Sequence, residues 1–168
     1  AGTQGFAETS TINLGSASLS VTGSGAVDLG SAVTAASVLG SSALGAITLG
    51  LTGLDTVGTV TTGLGNDVLS ISSAVRNSSG AYTLVTGAGT DTLTLSIAQD
   101  FSWNAGADYD TLKVVGDLDV SAKSISLTSV DEIALDTTTL GAKTFTISAA
   151  TFNTNPVFNL RGTAASSD

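Results

Sequence analysis

The strongest constraint on what this chain can fold into is a ten-residue unit that occurs twice. Thr62-Gly63-Leu64-Gly65-Asn66-Asp67-Val68-Leu69-Ser70-Ile71 returns 24 positions later as Thr86-Gly87-Ala88-Gly89-Thr90-Asp91-Thr92-Leu93-Thr94-Leu95. Each copy holds a Thr-Gly-x-Gly-x turn, an aspartate at the same offset, and a strand with an apolar residue at every second place. A repeat of this length is the signature of a solenoid, in which stacked coils bury their apolar faces against one another.

The chemistry of the repeat points to a cation. Gly63, Gly65, Gly87 and Gly89 reach backbone angles closed to other residues, so each loop can turn sharply and aim carbonyl oxygens inward. The aspartate adds a charged oxygen at the mouth of that cluster. Carbonyls with carboxylates suit calcium, a hard cation that takes about 6 to 8 oxygen ligands. One loop supplies too few. Coils stacked about 4.8 Å apart put Asp67 and Asp91 in neighbouring layers, where a cation between them relieves the repulsion of like charges. Asp67 and Asp91 are therefore the leading candidate ligands, with backbone oxygens of Thr62, Leu64, Thr86 and Ala88 completing the shells. The plain alternative is an Asp-capped glycine turn that holds no ion.

These units resemble the calcium-binding nonapeptide of the RTX (repeats-in-toxin) family, Gly-Gly-x-Gly-x-Asp followed by a large apolar residue. Gly63, Gly65, Asp67 and Leu69 match in the first copy, and Gly87, Gly89, Asp91 and Leu93 in the second; Thr62 and Thr86 stand where the family has its first glycine. A weaker third copy, Asn104-Ala105-Gly106-Ala107-Asp108-Tyr109-Asp110-Thr111-Leu112, keeps one glycine and the closing Asp-x-Leu. It adds Asp110 to the candidates, with Asp108 in its place or beside it. Gly53-Leu54-Asp55-Thr56-Val57 keeps only the second half of the motif and adds Asp55. Units set farther apart than in a tight RTX roll imply wider coils with calcium at one corner, as in the β-solenoid parts of bacterial S-layer proteins and large secreted adhesins.

Composition narrows the partners. The chain of 168 residues carries 14 Asp and Glu against 5 Lys and Arg, a net charge of −9. That balance argues against nucleic acid and anionic membrane surfaces and for inorganic cations. Cys, Met and His are absent, which removes disulfides, zinc-thiolate sites, an imidazole base and haem ligation. No apolar run approaches the roughly 18 residues of a membrane span, so no membrane insertion is expected. The whole of 1–168 reads as one solenoid domain or as a segment of a longer chain, with 1–10 as a flexible or connecting entry.

Along the chain, period-2 alternation begins at Ile12-Asn13-Leu14 and continues through Leu19-Ser20-Val21, Val27-Asp28-Leu29 and Ile47-Thr48-Leu49. Such short runs bounded by Gly and Ser read as strands with one buried face. Ala32 to Leu44 reads as irregular coil corners, and Arg76 to Gly80 as a surface turn. Ile97 to Trp103 breaks the alternation and reads as a bulge, with Trp103 capping or anchoring the solenoid wall. Leu112-Lys113-Val114, Leu118-Asp119-Val120, Ile125-Ser126-Leu127, Ile133-Ala134-Leu135, Phe145-Thr146-Ile147 and Val157 to Leu160 follow with looser spacing. Phe145, Phe152 and Phe158 add bulk that suits a capping coil or a subunit contact.

Other acidic groups have ordinary explanations. Asp117 and Asp119 flank Leu118 and would face one side of a strand; paired carboxylates can work on glycans, but a solvated face or another cation site is the better reading. Asp131-Glu132 reads as a solvated turn. The pairs Thr59/Thr61, Thr92/Thr94 and Thr144/Thr146 raise the idea of water-ordering threonine ladders, set against the ordinary preference of Thr for outer strand faces.

The expectation is an all-β, right-handed parallel β-helix or β-roll-like solenoid with calcium-binding turns. Its expected role is structural and non-enzymatic: a secreted S-layer, filament or matrix subunit at the cell surface, whose folding and self-assembly follow Ca2+. An adhesin or glycan-binding module, with cell-surface polysaccharide as partner, is the first alternative. A non-catalytic RTX part of a secreted hydrolase is the second.

Overall fold

The computed structural model describes residues 6–7, 12–30, 33–51, 58–72, 81–136, 143–154 and 159–162. In chain order the early strands are β1 (Phe6–Ala7), β2 (Ile12–Asn13), β3 (Ser18–Gly23), β4 (Val27–Asp28) and β5 (Val33–Thr34). Then come β6 (Ser37–Ala43), β7 (Ile47–Gly50), β8 (Thr59–Thr61) and β9 (Val68–Ile71). The middle holds β10 (Tyr82–Val85), β11 (Thr92–Leu95), β12 (Phe101–Asn104) and β13 (Thr111–Val115). The last are β14 (Leu118–Asp119), β15 (Ile125–Thr128), β16 (Glu132–Asp136), β17 (Phe145–Thr146) and β18 (Asn159–Gly162), with one short helix, α1 (Ala149–Thr154).

All described pairings are parallel, and they form a β-solenoid. The largest sheet runs β1-β4-β7-β9-β11-β13-β16-β18, a second runs β15-β12-β10-β8-β6-β3, and two short two-stranded sheets, β2-β5 and β14-β17, lie beside them. From β3 to β16 each circuit adds one strand to each of the two large walls; in the last described circuit α1, not a strand, follows β17. The 24-residue repeat is one such circuit: Leu69 pairs with Leu93 in register.

Alternation explains why these sequences make walls. Residues pointing inward form continuous apolar columns: Leu49, Leu69, Leu93, Leu112 and Ile133 in the larger sheet, and Val38, Val60, Leu84, Trp103 and Leu127 in the smaller. These residues are all buried. Burial of each large aliphatic side chain is worth roughly 1.5–3 kcal/mol, and a one-residue slip would turn the column outward.

Three sequence readings change. Ser37–Ala43, expected as irregular corner, is a strand whose residue Val38 points into the core; the irregularity is confined to a register shift against β3 between Leu39 and Ser42. Phe101–Asn104 is not a bulge: it pairs one-to-one with β10 and β15, because the break in alternation is confined to the corner at 97–100. Trp103, expected to cap or anchor the wall, is a core residue at 1 % exposure and so anchors it from within. The helix α1 packs on β15, where the Thr151 hydroxyl donates to the Ile125 carbonyl at 3.2 Å. That contact covers the end of the smaller sheet. Asp55, the Arg76–Gly80 turn and Phe158 lie outside the described residues, as does the side chain of Phe152.

Candidate functional site: an aspartate column at one corner

Three successive circuits turn the same corner with six residues each: 62–67 between β8 and β9, 86–91 between β10 and β11, and 105–110 between β12 and β13. The corners before and after are shorter, at 44–46 and 129–131. The two clear motif copies and the weaker third one thus form one contiguous block.

Within that block the glycines serve close approach between coils. A Cβ on Gly63 would strike the Ala43 carbonyl oxygen, one on Gly87 the Gly63 carbonyl oxygen, and one on Gly106 the Gly87 carbonyl oxygen. The amides of Leu64, Ala88 and Ala107 complete this packing by donating to Ala43, Gly63 and Gly87 across the coils, at 2.8–3.0 Å. Gly87 (φ +100°) and Gly89 (φ +112°) also need the left-handed region. In the third corner that second glycine position is filled by Asp108, which adopts φ +79° and accepts a hydrogen bond from the Gly89 N–H at 3.2 Å. Asp is one of the few residues besides Gly that adopts this conformation, and here its carboxyl is held by the coil before it.

The motif threonines have a similar explanation. Thr62 and Thr86 are buried. The Thr62 hydroxyl donates to the Thr86 carbonyl at 2.9 Å, and the Thr86 hydroxyl to the Ala105 carbonyl at 2.8 Å. The Trp103 indole N–H donates to the Thr86 hydroxyl oxygen at 3.2 Å. A first glycine in this place would leave the indole without that acceptor.

The aspartates stack into a column. Asp67 Oδ1 accepts from the Ile47 N–H at 2.7 Å, Asp91 Oδ1 from Asp67 N–H at 2.8 Å, and Asp110 Oδ1 from Asp91 N–H at 2.8 Å. Asp131 Oδ2 continues the series by accepting from Asp110 N–H at 2.9 Å. Each carboxyl caps the first amide of the coil before it. The residue after Asp faces out and the next faces in, which is why an apolar residue recurs two places on.

One oxygen per carboxyl is left over. Asp67, Asp91 and Asp110 have 0 % exposure, and the Oδ2 atom of each is buried with no hydrogen-bond partner. Burial pushes the Asp91 carboxyl up to about 7, against the Asp67 amide and the adjacent Thr86 hydroxyl, which lower it; the Asp67 and Asp110 charges raise it further. Asp110 is pushed to about 6, first by burial, then by the Asp131 and Asp108 charges. Asp67 is raised too, by burial. The Thr62 and Thr86 hydroxyls lie close enough to favour the charged forms of Asp67 and Asp91, but their hydrogen bonds go to the Thr86 and Ala105 carbonyls, which leaves the Oδ2 atoms without a partner. A buried, unpartnered carboxylate oxygen is costly; a proton or a cation must offset it.

Carboxylate oxygens are the donor type that calcium takes, and Asp67, Asp91 and Asp110 stand in successive coils, linked through their backbone amides. Among the described residues no point gathers three acidic side chains, so carbonyls would have to supply the remaining oxygens. Of those expected, Thr86 O already accepts the Thr62 hydroxyl, though a carbonyl keeps a second lone pair. Asp108 lies outside the column, exposed on the corner surface.

Sequence reasoning missed Asp131 by treating it with Glu132 as a solvated turn. Asp131 is half-buried in the column, and Glu132 is a buried strand residue tied to Arg161 at 2.7 Å and to the Tyr109 hydroxyl at 2.8 Å. Burial raises the Glu132 carboxyl, but these two partners outweigh it and hold it below the usual range. The usable signal was Asp131-Glu132-Ile133, which keeps the Asp-x-apolar spacing of Asp67-Val68-Leu69. Asp117 and Asp119 are exposed and cap the amides of Thr144 and Ser121.

Fold and corner together define a parallel β-solenoid, compatible with a β-roll, with an aspartate-lined corner. No protein-family profile, curated protein or solved structure matches the chain.

Proposed function

We propose that this chain is a non-enzymatic structural solenoid of the RTX type, in which calcium bound along the Asp67, Asp91 and Asp110 column stiffens the coils of a secreted subunit. The observation that carries the reading is the stack of three buried Oδ2 atoms without donors. A divalent cation in the 67/91 and 91/110 gaps would neutralise carboxylates that otherwise sit dry and mutually repelling.

Such sites bind weakly, at about 10⁻⁴ to 10⁻³ M for extracellular modules. They fill only where calcium is abundant, which favours a cell-surface or matrix setting over the cell interior. An S-layer, filament or matrix subunit uses that linkage directly: calcium binds the folded coils and not the unfolded chain, so folding and assembly rise together. The exposed last strand β18 is an unpaired edge among the described residues, suited to joining a further coil. A glycan-binding module gains little support from the large aromatics, since Trp103, Tyr82 and Phe101 are in the core and, among the described residues, Tyr109 alone of the tyrosines and tryptophan is exposed. The net charge of −9 keeps nucleic acid off the list of partners, and among the described residues no helix is long and apolar enough to cross a membrane.

Circular dichroism and light scattering across a calcium titration, with magnesium as control, test this reading. Strand signal and particle size should both increase with calcium and respond much less to magnesium. Equal folding and equal assembly in excess chelator would sink it.

A further inference from the structure

We propose that the outer face of the six-stranded sheet is a lateral contact surface for a second copy of this chain. Register places Ser18, Ser37, Thr59, Thr83, Ser102 and Ser126 in one outward column across all six strands. The next outward column includes Leu39, Thr61 and Val85. None of the described outward positions on these strands carries a charge. The outer face of the eight-stranded sheet differs, with Asp28, Lys113 and Asp136 on it.

The charge distribution selects the occupant. Two chains of net charge −9 repel wherever carboxylates meet, so copies can approach most closely where no charge is present. Hydroxyls are also self-complementary, each being donor and acceptor at once. Ser18 and Ser37 already pair within the column, Oγ to Oγ at 2.6 Å. The same columns on a second chain, turned by a two-fold axis, present equivalent partners. Short side chains let the two sheets come near.

Size sets the strength. Six strands about 4.8 Å apart and four residues wide at about 3.3 Å each give a patch on the order of 300–400 Å², below the roughly 800 Å² per partner of a stable complex. The pair is therefore weak and dissociates on dilution. This deepens the self-assembly part of the proposed function by naming a face rather than a coil edge, and it does not depend on the calcium site.

The absence of native cysteine makes the test clean. Thr83→Cys, at the centre of the face, and Thr48→Cys, exposed on the opposite wall, are treated with a bis-maleimide cross-linker in calcium buffer, beside sedimentation equilibrium of the unmodified chain. Thr83→Cys should cross-link to dimer at least about tenfold faster than Thr48→Cys. The unmodified chain should show a dimer that dissociates on dilution, and Thr59→Lys with Thr83→Lys should weaken it about tenfold or more while the strand signal is kept. Equal cross-linking at the two positions, or none at either, overturns the proposal. So does a chain that stays monomeric while binding a neutral polysaccharide such as dextran through this face. If calcium proves irrelevant to folding but Thr83→Cys still cross-links selectively, the calcium reading fails and this one stands.

Discussion

The backbone N–H of Asp67 donates to Oδ1 of Asp91, one full circuit farther along the chain, at 2.8 Å. One carboxyl oxygen therefore does structural work, and the other is buried with no hydrogen-bond partner. Substitution separates the two. Asp91→Ala removes the cap and orphans a buried amide, so it should destabilise by about 1–3 kcal/mol in chelator, and by more in calcium, where a ligand is lost as well. Asp91→Asn keeps an oxygen for the Asp67 amide but removes the charge; it should be closer to the parent than Asp91→Ala in chelator, yet lose most of the gain from calcium. Denaturant melts of both variants with and without calcium decide the matter. An Asp91→Asn chain that gains as much from calcium as the parent would leave the column with a capping role alone.

Glycine positions with positive φ divide by their surroundings. Gly106 has φ +106° and its added Cβ would strike the Gly87 carbonyl oxygen, whereas Gly116 has φ +82° with nothing within 4 Å. Gly116→Ala should cost about 1–2 kcal/mol, the penalty of the left-handed region. Gly106→Ala must also push two coils apart and should cost at least about 3 kcal/mol, near the exceptional end for single changes. Comparable thermal midpoints would show that the corner is looser than described.

The pH response of the metal-free chain has a definite sign. Asp91 and Asp110 lie near 7 and 6 in the folded state, above the usual carboxylate value near 4. Protonation thus favours the fold: their contribution is fully present near pH 4 and is lost as pH rises through 6 to 7. In chelator the thermal midpoint should be higher at pH 5 than at pH 8. Calcium takes the ionised form, so saturating calcium should shrink or invert that difference. A flat midpoint in chelator would mean that the column ionises without cost.

Trp103 gives a direct optical readout. It is the only tryptophan in the chain, is 1 % exposed and bonds to Thr86 in the second corner. Its emission should be blue-shifted in the folded chain and move red when coils open on calcium removal. Trp103→Phe loses that bond and some volume, for about 1–2 kcal/mol; Trp103→Ala should cost about 3–5 kcal/mol. Emission already at the water-exposed wavelength in calcium would contradict the core placement.

The solenoid was legible because its repeat and its period-2 alternation are both local signals: Leu69 and Leu93 can be seen in the sequence to be equivalent, and they pair. The aspartate corner was legible for the same reason. What escaped were relations set by stacking. Asp131 follows a shortened corner without glycines, so its place in the column depends on the register of β16 with β13. The glycines looked like devices for turning carbonyls inward, but contacts such as Gly87 against Gly63 arise only once coils are layered. Trp103 looked exceptional in a chain of small residues, yet it fills the same inward column as Leu84 and Leu127. The hydroxyl face was hidden too. The threonine pairs visible along the chain fall on different walls, with Thr59/Thr61 on the smaller sheet and Thr92/Thr94 on the larger; the regular column runs across strands.

Isothermal titration of calcium into the chelator-treated chain, beside Asp91→Asn, tests the central claim most directly. Asp91 flanks both gaps of the column, so the account predicts saturable binding in the range of about 10⁻⁴ to 10⁻³ M for the unmodified chain and its loss or a severalfold weakening in the variant. No binding heat up to several times that range, or an isotherm unchanged by Asp91→Asn, would contradict it.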